Sequence, residues 1–195
     1  THLARLLPPA ATAVFAAAAD DAALATFAKL AGLDDLTPRQ EKQARLSQRR
    51  GGMGLRSLHE RRGAAWVGSW LTTLPRVRAS CPAGWASKEA LARDGPAWAQ
   101  EGWAAALQDA CDELAARGAH LDSQGQVCED PPEDPWSWED GFVPHRKKQG
   151  ELSQKLENAS LRELLQAETR SGRARVRSCG GPGAGAWLSA IPADA

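Results

Sequence analysis

Residues 46–75 read LSQRRGGMGLRSLHERRGAAWVGSWLTTLP, and this stretch organises the rest of the chain. Arg49 and Arg50 run into Gly51-Gly52-Met53-Gly54. A glycine pair with a third glycine close behind marks backbone that needs a positive φ or very close approach. Ser57-Leu58-His59-Glu60 has the form of a capping box, with Ser57 accepting from the third helical N–H and Glu60 reaching back. The helix it opens is expected to end near Thr73, because Pro75 donates no hydrogen bond and restricts Leu74. Leu58, Ala65, Trp66, Trp70, Leu71 and Leu74 form one apolar stripe at helical spacing. Trp66 and Trp70 are therefore expected in the core rather than stacked on bases.

Upstream, Leu3, Leu6 and Leu7 look like the end of a helix stopped by Pro8-Pro9. Residues 10–31 are Ala-rich and helical by propensity, with Gly32 at the C′ position. Asp20-Asp21 lies within this helix and is flanked by Ala, so it is expected on a solvated face and not in a metal-holding polymerase loop. Thr37-Pro38-Arg39-Gln40 is a second helix start, opening a short basic helix over 38–47.

Downstream, residues 76–95 read as irregular, with one helical turn at 87–93. A helix opens at Gly95-Pro96 and closes at Gly118, burying Trp98, Trp103, Leu107, Ala110, Cys111 and Leu114. Residues 118–141 carry Pro131, Pro132 and Pro135 among many acids and read as an exposed loop. Trp136 and Trp138 within it are expected to dock on the core or to mark an interaction segment. Residues 149–158 and 161–169 read as two helices, because Ser160-Leu161-Arg162-Glu163 has the capping-box form. The glycines from Gly180 onward are followed by Ala, Trp and Leu, not the Lys-Ser/Thr of a phosphate loop, and are expected to form a turn.

Net charge is zero, yet residues 39–78 balance to +8, residues 109–140 to −9 and residues 146–177 to +5. Such blocks either bind polyanions or neutralise one another. Arg39, Lys42, Arg45, Arg49, Arg50, Arg56, Arg61 and Arg62 cluster within one helix, a turn and the next helix start. They are the candidate contacts to an RNA or DNA backbone, where they would position without reading sequence. Cys81, Cys111, Cys128 and Cys179 contain no CxxC pair, which points to free thiols in an intracellular, reducing compartment and to no structural zinc. Cys111, His120 and Cys128 could meet around a hairpin, but no metal site is expected there. No uninterrupted apolar run reaches bilayer-spanning length, so no membrane span is expected. No nucleophile–base or HExxH pattern is present, and no catalytic residue, cofactor or metal is assigned.

The run GGMGLRS after a basic residue, followed by a helix with AAWVGSW, resembles a segment of retrotransposon-encoded reverse-transcriptase-like proteins that lies downstream of the polymerase palm. THLARLLPPAATAVFAAAADDA is similar to the segment just after the palm in the same proteins. RARVRSCGGPGAGAWLSAIP, preceded by QGELSQKLENASLRELL, resembles a later segment of that family. The three come in the family's order and cover about half of the chain. In that family the polymerase aspartates lie upstream of this region, and Cys/His-rich and nuclease-like parts lie downstream. The resemblance therefore implies a region without catalysis of its own. The absence of an initiator Met agrees with a fragment, a processed product or a trimmed chain.

The expected fold is mainly α, an irregular bundle of five to seven helices with a long acidic Pro-rich loop. Its parts are a helical domain at 1–117 around the GGMGLRS turn, an acidic Pro/Trp loop or linker at 118–145, and a C-terminal helix pair with a Gly-rich turn at 146–195. The expected function is a non-catalytic helical region of a reverse-transcriptase-like retroelement protein, supporting the polymerase and contacting nucleic-acid backbone. The alternative is a domesticated relic serving as a structural or interaction subunit, with Trp136 and Trp138 meeting other protein subunits.

Overall fold

The computed structural model describes residues 2–80, 102–122, 124–133 and 148–181. Among these the chain is mainly helical. In order come α1 (Leu3–Leu6), α2 (Pro9–Leu30), α3 (Pro38–Arg45), a 3-10 turn (Gln48–Arg50), α4 (Leu58–Ser80), α5 (Trp103–Ala116), β1 (His120–Leu121), β2 (Val127–Cys128), α6 (Lys148–Gln166) and α7 (Arg170–Cys179). The expected breakers at 82–96 and the loop tryptophans Trp136 and Trp138 lie outside the described residues.

The chain forms two compact units, residues 1–16 with 58–156 and residues 17–57 with 157–195. Their boundaries cut across the three stretches read from sequence, because α2 and α6 each supply residues to both units.

In the first unit α1 packs on α4, α4 on α5, and α5 on the small hairpin. The core takes Trp66, Val67 and Leu71 from α4, Leu107 and Leu114 from α5, and Leu152 and Leu156 from α6. Trp66 and Trp70 meet edge to face with centroids 5.5 Å apart, the offset geometry that aromatic quadrupoles prefer. α5 ends as anticipated at Gly118, whose φ is +76°. Gly118 N–H donates to Ala115 O at 2.9 Å and Ala119 N–H to Leu114 O at 3.0 Å, a Schellman pair that satisfies two terminal carbonyls.

Three expectations are corrected here. α4 does not stop near Thr73 but continues through Pro75 to Ser80. The Thr72 and Thr73 hydroxyls donate back to Gly68 O at 2.8 Å and Ser69 O at 2.9 Å, back-bonds of the kind that bend helices. Residues 148–166 form one helix, not two. Leu152 and Leu156 pack in the core of the first unit and Leu164 in that of the second, and the helix runs on between them past the local capping signal at Ser160. The acidic stretch also contains a hairpin, with His120 opposite Cys128 and Leu121 opposite Val127. Asp122 builds its turn by accepting from Gln124 N–H at 3.0 Å and Gln126 N–H at 2.7 Å.

In the second unit the buried core is small: Leu46, Leu164 and Val176, with Leu161 and Leu165 against it. α2 ends in a Schellman pair at Gly32, φ +68°, as its sequence signals. α7 was not anticipated; Thr169 caps it by accepting from Gly172 N–H at 3.2 Å.

Asp20 also departs from expectation. It is only 7% exposed and accepts from the Ser57 hydroxyl at 2.5 Å, whereas Asp21 is exposed. Among the described residues, α2 is a helix long and apolar enough to cross a membrane by length and composition alone. Counting unbroken apolar runs missed it because Asp20 and Asp21 interrupt the run at mid-helix. Each such aspartate would cost about 2.5–3.5 kcal/mol at a bilayer centre.

Candidate nucleic-acid interface

The basic cluster is built on α3 and the turn that follows. Thr37 starts α3 with the anticipated capping box: its hydroxyl accepts from Gln40 N–H at 3.3 Å, and its own N–H donates to Gln40 Oε1 at 2.8 Å. After the 3-10 turn the chain folds back on the end of α3. Met53 and Leu55 both donate to Ala44 O, at 3.2 and 3.1 Å, and Gly54 N–H donates to Leu46 O at 2.8 Å.

The glycines do the two things their spacing predicts. Gly51 and Gly54 have φ of +81° and +78°. Gly52 is needed for contact: a Cβ there would collide with Leu46 O and lie 2.5 Å from Gln43 O. Gly51 is pressed against the last turn of α7, where a Cβ would lie 2.8 Å from Val176 O and 2.9 Å from Cys179 Cβ. GGMGLRS and RARVRSCGG, far apart in sequence, thus pack on one another within the second unit.

Four of the eight candidate basic residues are held by carboxylates of the same chain. Arg39 pairs with Glu168, Lys42 with Glu163 at 3.2 Å, and Arg50 with Glu157 at 3.7 Å. Ascending order along one strand of this ladder is descending order along the other, so the segment 39–50 runs antiparallel to 157–168. Glu157 also accepts Ser47 N–H at 2.7 Å, and Glu168 is buried. The Lys42–Glu163 pair is exposed and contributes little stability.

In the first unit Arg62 is fully committed. Its Nε donates to Pro9 O at 3.2 Å, Nη1 to His59 O, and Nη2 to Glu113 Oε1 at 3.2 Å. Arg45 and Arg61 are half-buried and engaged in interactions of their own. Arg49 and Arg56 are exposed, and neither forms an ion pair among the described residues.

Sequence reasoning missed Glu157, Glu163 and Glu168 as partners. The signal was present as two rows of opposite charge in reversed order, but it needs the knowledge that the two segments are neighbours. It also missed that α7 brings Arg170, Arg173, Arg175 and Arg177 into the same unit.

Trp66 is buried and cannot stack on a base. Cys111, Cys128 and Cys179 are free thiols. Burial, and then the Asp122 carboxylate, raise the Cys128 thiol above its ordinary value. Among the described residues no group of three or more His, Cys, Asp and Glu side chains could hold a metal ion.

No protein-family model, no curated protein and no solved structure matches the chain.

Proposed function

We propose that the chain is a non-catalytic helical region of a reverse-transcriptase-like retroelement protein, where it supports the polymerase and contacts nucleic-acid backbone. One observation carries this reading: the GGMGLRS turn and the start of the later resembling segment are mutually packed, through Gly51 against Val176 and Cys179. Two stretches that carry the resemblance thus belong to one compact unit, which supports the reading. The polymerase-supporting role follows from the family's order, in which this region comes after the palm.

The test is fluorescence anisotropy with an RNA–DNA hybrid across a salt series. Phosphate contacts make log K fall linearly with log salt, by up to about 0.9 for each phosphate neutralised. A flat response, or no binding at low salt, removes the nucleic-acid part of the proposal.

A second reading is favoured by the ion pairs. With Arg39, Lys42, Arg50 and Arg62 held internally, the basic block acts first as framework. Leu3, Leu6, Val14 and Phe15 are also exposed apolar side chains of the first unit. Both features suit a domesticated relic that serves as a structural or interaction subunit. Absence of salt-dependent binding in the same assay favours this reading.

A further inference from the structure

We infer that the phosphate-contacting surface is the set of exposed arginines on α7, Arg170, Arg175 and Arg177, together with Arg49, not the α3 block that sequence singles out. This rests on the nucleic-acid reading above and reassigns its site. α7 carries Arg170, Arg173, Arg175 and Arg177 and no acidic residue. Arg170, Arg175 and Arg177 are exposed and form no ion pair among the described residues. Arg173 is the exception, since its Nη1 donates to Glu168 O at 2.9 Å.

The opposite face of α7 is fixed inward by Gly172 and Val176, both buried. Its last turn lies against the 3-10 turn: a Cβ at Gly180 would sit 3.2 Å from Arg49 O and 3.1 Å from the Arg50 carbonyl carbon. Arg49, exposed and without an ion pair among the described residues, is thus anchored beside the end of α7 through its backbone, while Arg50 next to it is held by Glu157.

The chemistry of this face selects phosphate. The exposed positions of α7 are Arg170, Ser171, Ala174, Arg175, Arg177, Ser178 and Cys179. Arginine forks and serine hydroxyls are phosphate ligands. The large apolar or aromatic anchor that carries most protein interfaces is missing from these positions. Arg170 and Arg177 are two helical turns apart, about 10.5 Å along the axis at roughly 1.5 Å per residue, which spans about three phosphate steps of one strand.

The experiment compares three chains on a labelled RNA–DNA hybrid and a DNA duplex over a salt series. They are the unaltered chain, Arg170→Gln/Arg175→Gln/Arg177→Gln, and Arg39→Gln/Lys42→Gln. Glutamine keeps helix propensity, and circular dichroism checks that each variant is folded. The triple variant is expected to flatten the duplex salt slope by about 2–3 and to weaken low-salt binding by at least roughly tenfold. The double variant is expected to leave the slope within about 0.5 of the unaltered chain. If the unaltered chain binds and a folded triple variant keeps its slope, the reassignment is wrong while the nucleic-acid reading stands. If the unaltered chain binds neither probe, both fail. Tight binding of anionic-lipid vesicles with none to either nucleic acid overturns the inference in favour of a membrane headgroup.

Discussion

Glu157 Oε1 accepts the backbone N–H of Ser47 at 2.7 Å and lies 3.7 Å from Arg50 Nε. One carboxylate thus holds both ends of the 3-10 turn that delivers the chain to its glycines. Its side chain is only 10% exposed, so removing it leaves a donor and a cation with few alternatives. Glu157→Ala is expected to destabilise the second unit by about 1.5–3 kcal/mol, the range for hydrogen bonds to charged groups. Glu157→Gln keeps an acceptor for Ser47 and is expected to cost roughly half as much. Urea titration combined with hydrogen exchange at the amides of residues 47–54 checks this. Unchanged protection in the alanine variant would show that the turn does not depend on Glu157.

The glycine cluster gives a prediction in which neighbours behave differently. At Gly54 the backbone has φ +78°, but the nearest atom to an added Cβ is Gln48 Cγ at 4.0 Å. Gly54→Ala therefore carries only the left-handed strain of about 1–2 kcal/mol. At Gly52 the obstacle is the carbonyl oxygens of Leu46 and Gln43, which belong to the end of α3 and cannot yield separately. Gly52→Ala is expected to cost about 3 kcal/mol or more, beyond ordinary overpacking. Denaturant midpoints of the two variants decide the matter; equal losses would mean that Gly52 is not closely approached.

Much of this fold was legible because its signals are local. Thr37-Pro38-Arg39-Gln40 forms the box its residues spell, Gly32 and Gly118 end α2 and α5, and the α4 stripe puts Trp66 in the core. What was not legible is tertiary. Asp20, expected on a solvated face, is buried and accepts from the Ser57 hydroxyl of a distant segment. α7 has a single large apolar residue, Val176, so no hydrophobic period announces it. The candidate site was visible as a count of arginines, but not as a surface. Which cations are free depends on where Glu157, Glu163 and Glu168 fall, and α6 decides that only once it runs unbroken past Ser160.

Trp66 combines burial with a missing partner. It is 5% exposed, and its indole Nε1 has no hydrogen-bond partner among the described residues. An unsatisfied buried donor costs about 1–3 kcal/mol, which offsets part of what the large ring contributes. Trp66→Phe is expected to lose under about 1.5 kcal/mol, although large-to-small changes at aromatic core sites usually cost about 3–5 kcal/mol. Trp66→Leu also removes the edge-to-face contact with Trp70 and is expected to cost more than the phenylalanine variant. Thermal or urea unfolding of the pair measures the difference; a phenylalanine variant as damaged as the leucine one would sink the unsatisfied-donor account.

Cys111 is buried in the α5 face of the first core. Burial, with Asp112 adding to it, raises its thiol far above the ordinary value of about 9.0. The folded chain therefore keeps the Cys111 proton at pH values where the unfolded chain has lost it. Below that ordinary value both states are protonated and the group contributes no pH dependence. Above it the unfolded state binds fewer protons, so stability falls as pH rises, by up to about 1.4 kcal/mol per pH unit from this group. Cys111→Ala removes that slope. Denaturation of the unaltered chain and the variant at neutral pH and again above pH 10 should show their stabilities converging as pH rises. The alanine variant begins lower from lost packing but declines more slowly. Parallel decline of the two chains would falsify the assignment of a proton held by burial at Cys111.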